Sequence, residues 1–183
     1  MKTKYWRSVA IIGIIAGLAG TAAVNAAGPQ SGARAGKTID SQGSQTLDAN
    51  ELTHLEYMRE EEKLARDVYI TLGTRYPQMK IFGKIDDAEQ RHTCAVCDLL
   101  EKYGKKDPNT NDNVGVYTGK DYGTYFASKF EQLVARGSIS KLEALYVGAY
   151  IEEMDMIDIN YCPQEIINLD NGIESASDCG KIY

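Results

Sequence analysis

Several patterns are missing from this chain of 183 residues. No stretch alternates apolar and polar residues over the length of a strand, so nothing reads as a half-buried β-strand. No segment recurs at a fixed period, which excludes solenoids and propellers. No basic stripe offsets the acidic balance. The formal net charge is −6, and such a chain is a poor nucleic-acid binder. Cysteine is sparse: one close pair, Cys94 and Cys97, and two distant residues, Cys162 and Cys179. Without a second close pair, a zinc site lacks half its ligands. A thiol redox centre gains most at a helix N-terminus, whereas Cys94 and Cys97 fall in mid-helix. Histidine is rarer still, and none follows His92.

The N-terminus has what the rest lacks. Lys2, Lys4 and Arg7 precede an apolar run from Ser8 to Val24, and Val24-Asn25-Ala26 ends in small residues. This is the pattern of a secretory signal, residues 1–26, cleaved after Ala26. The rival reading is an uncleaved anchor, but the run is short against the ~20 residues a spanning helix needs. No cysteine sits near the cut to carry a lipid. Cleavage leaves no stable membrane span and takes the formal charge from −6 to −9 by removing three cations. The expected location is periplasmic or extracellular, where disulfides are favoured over thiols. Four cysteines allow three full pairings. A Cys162–Cys179 bridge would close a short loop and contribute ~3 kcal/mol.

Residues 27–50 are rich in Gly, Ala, Ser and Gln and nearly free of large apolar side chains, which reads as a flexible tether. Residues 51–183 remain for one modest domain. Asp48-x-x-Glu51 is a capping box for a first helix. Its apolar seam runs Leu52, Leu55, Met58, Glu62, Ala65, Tyr69 and Leu72, ended by Gly73 and Pro77. A second helix follows Gly83 with Asp86 and Asp87 in its first turn. Its seam is Ile85, Glu89, His92, Val96, Leu99 and Tyr103, and Gly104 sits at C′. Residues 105–119 are loop. A shorter helix covers Tyr122 to Arg136. Ser140-x-x-Glu143 caps another, with seam Leu142, Leu145, Ala149, Glu152, Met156 and Ile159, stopped by Pro163. Gln164 to Leu169 has the makings of a helical turn. The fold class is all-α.

Glu62, Glu89, His92 and Glu152 thus interrupt three apolar seams. A lone charge there costs several kcal/mol unless it is paired or holds a metal. Glu89-x-x-His92 places carboxylate and imidazole on one helix face. Oxygen ligands with one imidazole suit iron or manganese better than zinc or copper. A pair of ferrous ions would nearly neutralise three carboxylates. The bland reading keeps each Glu partly exposed and His92 a satisfied core or interface residue. Glu60, Glu61 and Glu153 fall off the seam and read as solvated, although one residue of helix rotation would exchange Glu153 with Glu152. His54 reads as surface. Arg66 either orients a carboxylate of the site or makes a surface pair with Glu62 or Asp67. Tyr69 and Tyr103 read as seam packing.

The stretches MREEEKLARDVY (58–69), EQRH (89–92), LLEKYG (99–104) and VGAYIEEMDMIDI (147–159) resemble an uncharacterised branch of the ferritin-like superfamily. That branch is a domain-of-unknown-function family of archaeal and bacterial proteins, often exported. The resemblance implies an up-down helical bundle with a di-iron centre, and Glu62, Glu89, His92 and Glu152 as ligands. Glu62 would bind one ion, Glu89 would bridge, and His92 and Glu152 would complete the shells. The implied chemistry is ferroxidase-like oxidation by dioxygen or peroxide. Members of that family carry a further C-terminal helix whose histidine completes the site. This chain ends at Asp178-Cys179-Gly180-Lys181-Ile182-Tyr183, which resembles the start of that helix, so most of it is expected to be missing. Asp155 then stands as substitute ligand, and a second copy in a homo-oligomer is the alternative cover for an otherwise exposed apolar groove. The competing expectation is a non-catalytic metal-binding or structural helical module.

Overall fold

The computed structural model describes residues 46–159 and 161–172. The expected signal, most of the tether and the last eleven residues lie outside them. The described residues form five helices and no strand: α1 (Ala49–Arg75), α2 (Phe82–Lys102), α3 (Gly123–Gly137), α4 (Lys141–Asp158) and α5 (Pro163–Asp170). None is long and apolar enough to cross a membrane.

α1 is the central rod, packed against each of the other four helices and most extensively against α2. Its start follows the capping box. Asp48 Oδ1 accepts the Asn50 and Glu51 N–H groups at 2.8 and 2.9 Å, and Glu51 Oε2 accepts the Asp48 N–H at 3.0 Å. Every residue from Tyr57 to Tyr69 is buried, so α1 has no solvent face along its middle. The expected seam of Met58, Ala65, Tyr69 and Leu72 is one apolar row. Tyr57, Leu64 and Val68 form another.

A third row is charged: Arg59, Glu60, Lys63, Arg66 and Asp67. It is buried because the segment after α2 lies across it. Lys63 Nζ donates to Asp67 at 2.5 Å and to the Asn113 carbonyl at 2.8 Å. Arg66 holds Asp67 at 2.8 Å and the Asp112 carbonyl at 3.0 Å. Arg59 pairs with Asp107 at 3.0 Å. Glu60 accepts the Gly119 N–H at 2.8 Å. Glu60 is therefore buried, not solvated as its off-seam position suggested, because the loop supplies its polar partners. Arg66 takes the Asp67 pairing, and that pair is interior rather than surface. His54 is likewise buried.

α2 begins at Phe82, before the expected Gly83, and no acid lies in its first turn. Burial of the Phe82 ring beside Tyr69, 6.1 Å between centroids, fixes that start. The far end fits the sequence. Gly104 has φ +65°, and its N–H and that of Lys105 return to Glu101 and Leu100 at 2.9 and 2.8 Å, the Schellman pattern.

Ser140 Oγ accepts the Glu143 N–H at 3.1 Å. The reciprocal half of that box is absent, because Glu143 reaches Arg136 at 2.7 Å instead. The expected α4 seam is overturned. Its inward face is Ala144, Val147, Gly148, Ile151, Met154 and Asp158, while Leu142, Leu145, Met156 and Ile159 are exposed. α4 is apolar on both sides, so periodicity alone does not choose. Gly148 does, since a Cβ there would sit 3.3 Å from the Tyr69 ring, and only that face lets α4 approach α1 closely. Pro163 opens α5 rather than ending α4, its ring suited to a first helical turn.

Candidate metal centre

α1, α2 and α4 bring a patch of carboxylates together. α1 contributes Glu61 and Glu62, adjacent residues that end up on two of its buried rows. α2 contributes Glu89 and, one turn on, His92. α4 contributes Asp155. Two sets of potential ligand atoms result: Glu62 with Glu89 and His92, and Glu61 with Glu62 and Asp155, each set mutually within 4.8 Å. Glu62 belongs to both. The central place given to Glu89 by resemblance thus falls geometrically to Glu62.

Around His92 the contacts are close. Its Nδ1 lies 3.0 Å from Glu89 Oε2 and 3.3 Å from Glu62 Oε2. The carboxylates are buried, but the imidazole is 52% exposed, so the ring closes the solvent side of the patch. Glu152 stands at the edge. It is exposed, belongs to neither close set, and its Oε1 accepts the Tyr69 hydroxyl at 2.7 Å. Tyr69 is thereby a polar contact of the site as well as core packing. Glu153 is exposed, on α4 away from the inward row.

Glu61 was not legible as a site residue, and it is the most enclosed of the group at 1% exposure. A signal existed: Glu61 interrupts the row of Tyr57, Leu64 and Val68 just as Glu62 interrupts the row beside it. A helix covered on all sides has more than one seam.

The electrostatics are strained without cations. Burial raises the Glu62 carboxyl to about 9, with Asp155, Glu89 and Glu152 adding repulsion. Glu61 rises well above the usual carboxylate range, first by burial and then beside Asp155, Asp158 and Glu62. Glu89 is also raised by burial, against the pull of His92. No hydrogen-bond donor serves Glu61 Oε1, Glu61 Oε2, Glu62 Oε2 or Asp155 Oδ1, all buried; His92 Nδ1 is near Glu62 Oε2 but out of line for a bond. Buried oxygens of this kind demand either protons or cations. The donor set, four carboxylates and one imidazole, fits iron or manganese. Cys94 and Cys97 are free thiols, and burial pushes the Cys97 thiol up to about 11, the wrong direction for a reactive thiolate. Cys162 is disulfide-bonded.

Comparison with known proteins places the chain in a wider family. The family described as "Uncharacterized protein domain (DUF2202)" matches residues 51–178. "Uncharacterized protein MJ0754" of Methanocaldococcus jannaschii is 43% identical over 121 residues, covering 66% of this chain and 63% of the relative. The chain thus spans less than two thirds of that protein's length. The crystal structure of hypothetical protein MJ0754 superposes with a TM-score of 0.60 at 41% identity, over 69% of this chain and 67% of the other.

Proposed function

We propose, for a chain that belongs to the DUF2202 family, a ferritin-like bundle that binds two iron ions between α1, α2 and α4 and oxidises ferrous iron. The observation that carries this reading is the group of buried carboxylate oxygens without donors. Four carboxylates, on Glu61, Glu62, Glu89 and Asp155, balance the charge of two ferrous ions, which lessens the cost of burial. Manganese meets the same donor chemistry.

Glu62 is common to both ligand sets and would touch both ions. Glu89 and His92 would complete one position, Glu61 and Asp155 the other. Bound iron would supply the electrons that reduce dioxygen or peroxide. The residues do the rest. Glu61 and Glu62 give up protons as cations arrive, because burial raises both carboxyls far above the usual carboxylate range. The exposed His92 ring marks the side from which small solutes reach the carboxylates. Tyr69 holds Glu152 by its hydroxyl, which keeps that carboxylate near the centre and outside the two close sets.

The exposure of His92 and Glu152 favours a second reading, a metal-binding module without turnover. Metal analysis separates the two. The iron-loaded protein is expected to hold close to two ions per chain and to consume dioxygen with added ferrous iron. Glu62→Gln is expected to lose both ions, since both sets share that residue. Two ions without oxidation supports the module, and background iron in a folded sample rejects both readings.

A further inference from the structure

α4 has a second face, turned away from the buried row of Ala144, Val147, Ile151 and Met154. Ala149 is exposed at its middle. Seven residues to either side stand Leu142 and Met156, 59% and 61% exposed. Four residues to either side are Leu145 and Glu153, and three to either side Tyr146 and Glu152, all exposed. Helical spacing puts these positions on one surface, and their placement is symmetric about Ala149. Symmetric placement is what an isologous contact needs, in which one residue meets a second and the second meets the first.

Charge selects the direction of such a contact. Laid parallel, two copies would stack Glu152 on Glu152 and Glu153 on Glu153, and like charges at that range repel. Laid antiparallel over Ala149, each acid is moved at least ~9 Å along the axis from its twin. Leu142 then meets Met156 of the second copy. Leu145 and Tyr146 meet its Glu152 and Glu153, where the phenolic hydroxyl has a carboxylate acceptor. The two Ala149 side chains meet at the dyad, small enough for the axes to approach closely. The ends agree as well. The last turn of α4 holds no basic residue, and antiparallel pairing sets the exposed Lys141 beside that turn in the second copy, where a cation offsets the helix dipole.

We propose that this face is an interface with a second copy of the same chain, formed by two α4 helices packed antiparallel over Ala149. A single helix pair buries less than the ~1,600 Å² of a standard interface, so the dimer dissociates in the micromolar range. No residue of the two close ligand sets takes part, and the contact forms without metal.

Sedimentation equilibrium of the full chain in chelator tests this apart from any metal. The mass is expected to rise with concentration from one chain to two and to stop there. Leu142→Glu and Met156→Lys, both at exposed positions, should each weaken the dimer about tenfold. Carried together in one chain they should give a dimer tighter than either single variant, because the introduced carboxylate of one copy faces the introduced ammonium of the other. Within one chain the two positions lie ~21 Å apart along the helix and cannot pair. Leu145→Lys should weaken the dimer less than Leu145→Glu, since position 145 faces acids. If circular dichroism shows that a Leu142 or Met156 variant does not fold, the two Leu145 variants decide. A monomer at every concentration, the result if a segment of the same chain lies on this face, overturns the interface, as does a dimer indifferent to the single substitutions. A double variant no tighter than the singles overturns the antiparallel pairing.

Discussion

At Glu61, burial and charge pull in opposite directions. Both oxygens lack donors, so the side chain is a liability to the metal-free protein and an asset only to a loaded one. Glu61→Gln is expected to raise the thermal midpoint of the chelator-treated protein at pH 8 and to lower the iron content from two ions to one; plasma mass spectrometry and a melt read both. A lower midpoint without metal would remove the conflict on which the site rests. The pH dependence follows from Glu62. Its carboxyl stands at about 9 folded against an ordinary 4.5, so between those values the native state holds a proton that the unfolded chain has released. Native binding of more protons means stability falls as pH rises through that window. His54 is lowered by burial and works the other way below about 6.5, while Asp158, raised to about 7, adds to the fall below 7. The raised Cys97 thiol lowers stability in the same direction as pH approaches 9, so pH 7 is compared with pH 9 in a Cys97→Ala background, which leaves the carboxylate centre as the main source of the difference. Urea unfolding in chelator is expected to give the lower stability at pH 9, and saturating iron or manganese should shrink the difference. A flat or rising profile without metal would count against the raised carboxyls.

Each helix has faces, and their number decides how much a sequence discloses. α1 disclosed its start through the capping box and its end to within two residues through Pro77, while Gly73, expected to end it, lies inside a helix that runs to Arg75. It disclosed one apolar row, because 3.6-residue spacing is visible in any single rod. Its charged row stayed hidden. Arg59, Glu60, Lys63, Arg66 and Asp67 look like a solvated face until a loop some fifty residues away supplies partners: Asp67 accepts from the Gly115 N–H at 2.9 Å and the Tyr117 hydroxyl at 3.3 Å. No local rule encodes that cover. Glu61 stayed hidden and Glu62 did not, because one apolar seam describes a helix covered on one side, whereas the middle of α1 is buried all round. Asp67 makes the consequence measurable. It neutralises Lys63 and Arg66, both buried, so Asp67→Ala leaves two interior cations without their buried counter-charge, held only by Gln90, the Asn113 and Asp112 carbonyls and the exposed Asp112 carboxylate. A loss of about 3–5 kcal/mol is expected by urea unfolding. Lys63→Met should cost less, because Asp67 keeps Arg66 and the loop N–H. Equal and small losses would mean that the loop does not cover this face.

The described helices are distributed unevenly about α1. Four helices and a loop bury the middle of one rod, Tyr57 to Tyr69, yet α4 turns Leu142, Leu145, Met156 and Ile159 outward, an exposed apolar row of helical period. The two faces of α4 are nearly alike in composition, and their difference lies in what they touch. Ile151 is 2% exposed and packs in the core, whereas Met156 is 61% exposed. Swapping them in thought swaps the position of Glu152 with that of Asp155, and therefore which α4 carboxylate meets Glu62. Two substitutions settle the rotation. Ile151→Ala should cost about 2–5 kcal/mol through lost burial and an unfilled cavity. Met156→Lys should change stability by no more than about 0.5 kcal/mol, while reducing concentration-dependent light scattering, since a charge breaks the apolar row. The reverse order, a costly Met156→Lys and a tolerated Ile151→Ala, would turn α4 around its axis, return Leu142, Leu145 and Met156 to the interior, and replace Asp155 by Glu152 at the centre.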